Sequence, residues 1–148
     1  MPVSYEWRGS FHNQRLNQLH AEAFETRVYS DSEWNWQQLV QQHSFGWVIA
    51  RDGGNVVGFL NVLWDGLAHA WLQDVMVSKG SRRHGIAEGM VSLARIRSRD
   101  AGCEWLHVDF DDEHRSFYLE RCGFTSTNAG LIALQSDDSS QAQIHRPQ

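Results

Sequence analysis

The chain is short of lysine, proline and cysteine. Lys79 is its only lysine, against twelve arginines, and its 148 residues include two prolines and two cysteines. Cys103 and Cys122 make neither a disulfide framework nor a four-ligand zinc set. They are expected as small buried apolar side chains with reduced thiols. No apolar run approaches the ~20 residues that cross a bilayer, so no membrane partner is expected. Met1 to Arg15 has no apolar core of a secretory signal, which points to the cytoplasm. Positive charge is also in deficit. The net charge is −5 with histidine neutral, which argues against a nucleic-acid-binding surface.

What is present suits one ordinary domain. Hydrophobic residues make up 41% of the chain, enough to enclose a core. The domain is expected over residues 1–134. Residues 135–148 are rich in Ser, Gln and Asp and read as a flexible tail. Before the tail, strand and helix patterns alternate. Val3–Trp7 reads as a weak strand, and Phe11–Phe24 carries apolar residues at helical spacing. Ser32 is a candidate N-cap for a helix through Trp36, Leu39 and Val40. Phe45–Ala50, Val56–Trp64 and His69–Val77 read as an antiparallel meander joined by Gly-, Asn- and Asp-containing turns. A helix over Ile86–Arg99 follows, then a strand over Trp105–Phe110, a short helix over Glu113–Arg121 and a last strand over Leu131–Leu134. Such an order implies an α/β chain with a mixed sheet.

The junction Ser78-Lys79-Gly80-Ser81-Arg82-Arg83-His84-Gly85-Ile86-Ala87 is polar and runs straight into the long helix. A helix start leaves N–H groups unpaired and carries partial positive charge, so it suits an anion. Arg82 and Arg83 add charge for a phosphate-bearing ligand. A solvated basic loop capping a helix is the plainer alternative. The loop has neither the Gly-Lys-Ser/Thr of a Walker loop nor the spacing of a dinucleotide fingerprint.

Arg82-x-x-Gly85-x-Ala87, following Asp74-Val75-Met76-Val77, resembles the coenzyme A-binding motif of the GNAT superfamily of N-acetyltransferases. Phe117-Tyr118-Leu119-Glu120-Arg121-Cys122-Gly123-Phe124 resembles that family's Phe/Leu-Tyr-x-x-x-Gly-Phe segment. Gly58-Phe59 also fits. The similarity runs from about Phe45 to Leu134. It implies a mostly antiparallel sheet of six to seven strands, about four flanking helices, and a splayed strand pair that holds the acyl-CoA. The implied activity is acetyl transfer from acetyl-CoA to a primary amine by direct attack on the thioester, with no metal.

The resemblance also implies roles. Val75, Met76 and Val77 would bind the pantetheine arm through their backbone. Arg82, Arg83, His84, Gly85, Ile86 and Ala87 would cradle the pyrophosphate. Tyr118 would protonate the departing thiolate; the alternative is a packed Tyr with a surface hydroxyl. Many relatives have carboxylates where this chain has Gln73-Asp74, which leaves Asp74 as candidate base, with another carboxylate or water as alternatives. The acceptor is expected to be a small cationic amine, with a protein N-terminus or lysine as alternative. A non-catalytic acyl-CoA-binding module is a third reading. A homodimer is compatible with the family.

Asp109-Phe110-Asp111-Asp112-Glu113-His114 supports three readings. Asp111 or Asp112 could cap a short helix. The run could be a negative rim for a cationic amine, with Asp109 nearest the cleft. His107, Asp109, Asp111 and His114 could hold a metal, although their spacing matches no standard motif. Most of the tryptophans are expected in the core, Trp47 and Trp71 above all. Trp34 and Trp36 are candidates to bracket an amine through cation–π contact.

Overall fold

The computed structural model describes residues 2–135. It holds one five-stranded sheet in sequential order. The strands are β1 (Val3–Trp7), β2 (Gly46–Asp52), β3 (Asn55–Trp64), β4 (His69–Val77) and β5 (Trp105–Val108). β1 to β4 pair antiparallel, and β4 pairs with β5 in parallel. A parallel pair needs a long crossover, which helix α3 (Ile86–Asp100) supplies. Helices α1 (Asn13–Phe24) and α2 (Trp36–His43) lie between β1 and β2 in the chain. A fourth helical segment, Phe117–Arg121, is of π type. No helix among the described residues is long and apolar enough to cross a membrane.

Period-two alternation gives the sheet two apolar faces. Val48, Ala50, Leu60, Val62, Ala70 and Leu72 pack against Ile86, Met90, Val91 and Ala94 of α3. Ile49, Phe59 and Met76 pack on the other side against Leu16 and Leu19 of α1 and Trp36 and Val40 of α2. α3 lies close to β1 because Gly89 has no side chain. A Cβ there would come within 2.5 Å of the Tyr5 hydroxyl oxygen.

Several expectations are corrected. Helix α2 starts one residue after Asn35, not at Ser32. Asn35 accepts a hydrogen bond from the Gln38 N–H at 3.0 Å, and Asn13 Oδ1 on α1 accepts from the Trp36 and Gln37 N–H groups. Two side chains thus satisfy the helix's first amides, and Ser32 is left in the preceding turn. The sheet has five strands rather than six to seven. Leu131–Leu134 has no ladder partner among the described residues, and Leu131, Ile132 and Leu134 are exposed. Of the expected tail, Gln135 is exposed and irregular, and residues 136–148 lie outside the described residues.

The cysteines are half-buried rather than buried. The tryptophans depart further. Trp36 alone is fully buried, whereas Trp34, Trp64 and Trp105 are exposed and Trp47 and Trp71 are half-buried. Trp71 belongs to neither core cluster, because α1 and α2 pack on the Phe59 and Met76 region of that face.

Candidate active site

The last rung between β4 and β5 joins Leu72 to Val108. β4 then runs on to Val77 without a β5 partner, because β5 ends at Val108. A bulge marks the point of departure. Asn61 of β3 pairs with Gln73, but Phe59 pairs with Met76, so Asp74 and Val75 share the place opposite Leu60. Asp74 accommodates the extra residue with a left-handed φ of 56°. Beyond the bulge, Val75 and Val77 pack towards α3 and Met76 towards α1 and α2. Their backbone groups on the β5 side are therefore the part that can meet an extended ligand.

Two left-handed residues shape the loop before α3. After a 3₁₀ turn at Lys79–Ser81, Arg82 is extended, Arg83 has φ 67° and Gly85 has φ 74°. Left-handed residues let a loop turn its N–H groups towards an anion, and the start of α3 adds its own unpaired amides. A Cβ on Gly85 would meet nothing, so the glycine is needed for its backbone conformation. Arg82, Arg83, His84 and Gly85 are exposed, Ala87 is half-buried, and buried Ile86 fixes the first turn to the core. The Arg82 guanidinium donates to the Glu22 carbonyl at 3.2 Å, which ties the loop to α1.

Tyr118 sits in the π segment and is buried. Its ring stacks on Phe110, with centroids 5.2 Å apart, and meets Phe117 and Phe124 edge-on. The wider π turn is closed by the Cys122 N–H donating to the Phe117 carbonyl at 3.0 Å. Burial, with the nearby Cys122, pushes the phenol well above its ordinary value, so it stays protonated. The hydroxyl has no hydrogen-bond partner among the described residues.

Asp74 is half-buried, and desolvation raises its carboxyl to about 6. A carboxylate poised there is ionised at neutral pH yet is a stronger base than an exposed one. Its partner on the strand, Gln73, faces Asn61, whose Oδ1 accepts from Ser44 at 2.5 Å.

The other predicted residues divide. Asp109 is exposed and directly follows Val108, the last β5 residue paired with β4. Trp34 is exposed and stacks near His20 and Tyr29. Trp36 is corrected: it has no exposed surface and its indole N–H donates to Asn17 at 2.9 Å, so it is a core residue and no substrate contact. Asp111 occupies the N-cap position of a 3₁₀ turn, Asp112–His114, without a side-chain cap hydrogen bond. Among the described residues, no three His, Cys, Asp or Glu side chains converge as a metal set would.

Sequence reasoning missed one constellation. Trp71 and His107 stack with centroids 5.0 Å apart, and His69 approaches both. The signal was present as two parallel strands with His-x-Trp on one and Trp-x-His on the other. Only the register brings them together.

The features that mark a class are a mixed sheet whose β4–β5 pairing stops short of the end of β4, and a polar loop with two left-handed residues leading into α3. The family model for the acetyltransferase (GNAT) family matches residues 12–124, so the chain belongs to that family. No curated protein matches the chain significantly. Solved structures share the fold. A probable acetyltransferase of unknown function from methicillin-resistant Staphylococcus aureus is 13% identical with a TM-score of 0.73, covering 91% of this chain and 100% of that one. The aminoglycoside N-acetyltransferase AAC(6')-Iy in complex with CoA is 15% identical with a TM-score of 0.71, covering 90% and 95%. An aminoglycoside acetyltransferase from an uncultured soil metagenomic sample is 19% identical with a TM-score of 0.71, again covering 90% and 95%.

Proposed function

We propose that residues 1–134 act as one domain that moves an acetyl group from acetyl-CoA to the primary amine of a small cationic molecule. The observation that carries this reading is the parting of β4 and β5 immediately beside the nest at Arg83 and Gly85. An extended arm fits the open strand edge, and a pyrophosphate fits the nest. When bound, acetyl-CoA supplies an activated acetyl thioester.

The chain's own groups do the rest. N–H groups from Arg82 to Ala87 hold the pyrophosphate, assisted by the exposed guanidinium of Arg83. Backbone from Val75 to Val77 lies along the pantetheine arm. An attacking amine must first lose a proton, since an alkylammonium resembles lysine at ~10.4. Asp74 takes that proton. The Tyr118 hydroxyl offers its own to the departing sulfur, a modest demand because a free thiol sits near ~8.5. Asp109 favours a cation at the mouth, and Trp34 offers an aromatic face on the α1–α2 connection.

A thiol-release assay with acetyl-CoA and a panel of small amines, polyamines and peptides tests this. Release should depend on a cationic small amine. Acetyl-CoA binding without turnover on any amine would leave a binding module, and no binding at all would remove the reading.

A further inference from the structure

Beside Asp74 the sheet holds two side-chain amides that the reaction above does not use. Trp47 of β2, Asn61 of β3 and Gln73 of β4 form one row across the strands. Asn61 lies on the side of the sheet that carries α1 and α2, as Phe59 two residues earlier does. Ser44, at the end of α2, reaches it there: its Oγ donates to Asn61 Oδ1 at 2.5 Å and fixes the amide. Asn61 is 2% exposed, yet its Nδ2 has no hydrogen-bond partner among the described residues. That nitrogen is not one of the fully enclosed unbonded atoms, so it reaches the surface. Asn17, the other buried asparagine, shows the contrast. Its Oδ1 accepts from the Trp36 indole, and its Nδ2 donates to the Ser30 and Trp34 carbonyls. Half-buried Gln73 also lacks a side-chain partner among the described residues. Buried amides are normally bonded at both ends, so the open end of Asn61 calls for a partner from outside the chain.

We propose that Asn61 and Gln73 select an acceptor with a hydroxyl close to its amine, an amino alcohol; this rests on the acetyltransferase reading above. Residues opposite each other on paired strands have Cβ atoms ~5 Å apart, so one small group can meet both amides. A hydroxyl suits the pair. Its oxygen accepts from Asn61 Nδ2, and its hydrogen goes to Gln73 Oε1. A carbonyl could only accept and would leave Gln73 Oε1 without a donor. A carboxylate would meet the charge of Asp74 next door. Asp74 follows Gln73 directly, with Cα atoms ~3.8 Å apart, so one small molecule reaches the amide pair and the base together. Ser44 is a positioning residue: it holds the Asn61 amide and needs no contact with the acceptor.

The test adds matched amines to the thiol-release assay, ethanolamine against propylamine and serinol against isopropylamine. Wild type should favour the hydroxyl-bearing member of each pair by about tenfold to a hundredfold in kcat/KM. Asn61→Leu, which keeps the size of the side chain, should reduce that preference to about threefold or less. Ser44→Ala should reduce it in part, and the KM for acetyl-CoA should stay unchanged in both variants. A purely structural role would lower the rates on both members alike and leave their ratio as it was. If Asn61→Leu does not fold, Gln73→Leu at the half-buried position gives the same readout. Equal rates within each pair for wild type, turnover confined to amines without a hydroxyl, or a preference that survives in the folded variants would overturn the assignment. Absence of turnover by wild type on every amine would instead overturn the acetyltransferase reading, and the assignment with it.

Discussion

Phe110 stacks on Tyr118 with ring planes 24° apart, which fastens the chain just past β5 to the π segment. The phenol is thus placed by packing, since no partner among the described residues holds its hydroxyl. Tyr118→Phe should leave the packing intact and cost no stability, because no hydrogen bond is lost. We expect kcat to fall by about tenfold to a hundredfold with an unchanged KM for acetyl-CoA. Steady-state kinetics beside a melting curve checks both halves; equal kcat would take Tyr118 out of the reaction.

Asp74 couples activity to stability. Its carboxyl is raised from 3.8 to about 6 by burial, so the folded state prefers the protonated form. The stabilising effect of that proton is complete below pH 3.8 and disappears as pH rises through about 6. At neutral pH the ionised group therefore burdens the fold, by up to about 3 kcal/mol. Asp74→Asn should raise Tm at pH 7.5 by several degrees and leave Tm at pH 4 nearly unchanged. It should also abolish an acidic limb near pH 6 in kcat/KM. A Tm gain of the same size at both pH values would show that ionisation is not the cause.

Gly85 combines a φ of 74° with open space around its missing Cβ. Gly85→Ala should therefore cost about 1–2 kcal/mol through backbone strain, with no clash. By distorting the nest it should raise the KM for acetyl-CoA more than it changes kcat. Calorimetric titration with coenzyme A gives a direct reading, and unchanged affinity would place the pyrophosphate elsewhere.

The parts legible in the sequence were local. Arg82-x-x-Gly85-x-Ala87 and the Tyr118 segment each lie on contiguous residues, so their spacing carried the resemblance to the family that the chain belongs to. The bulge could not be read the same way. Asp74 can adopt a positive φ, but aspartate also sits in ordinary strands, and the slip appears only when Asn61 and Phe59 find their partners. Leu131–Leu134 shows the converse. Four apolar residues in a row satisfy a strand pattern, but a strand also needs a neighbour, and β5 offers none of its outer edge to it among the described residues. The tryptophans misled for a related reason. Their size suggests burial, yet burial needs a covering layer, and α1 and α2 end short of Trp71.

Trp34 and Trp36 are two residues apart and should respond in opposite ways. Trp36 has no exposed surface and its indole satisfies Asn17 on α1. Trp36→Ala leaves a cavity and an unpaired buried amide, so a loss of about 3–5 kcal/mol is expected. Asn17 also donates to the Trp34 carbonyl at 3.2 Å, so that loss would loosen the whole α1–α2 connection. Trp34 exposes 43% of its surface, and its carbonyl rather than its ring makes those bonds. Trp34→Ala should cost far less stability and should raise the acceptor KM, because of the two rings only Trp34 is exposed. Parallel melting curves and acceptor titrations separate the two. If Trp34→Ala leaves the acceptor KM unchanged, the aromatic surface of the α1–α2 connection serves packing alone, and the cation must be recognised at Asp109.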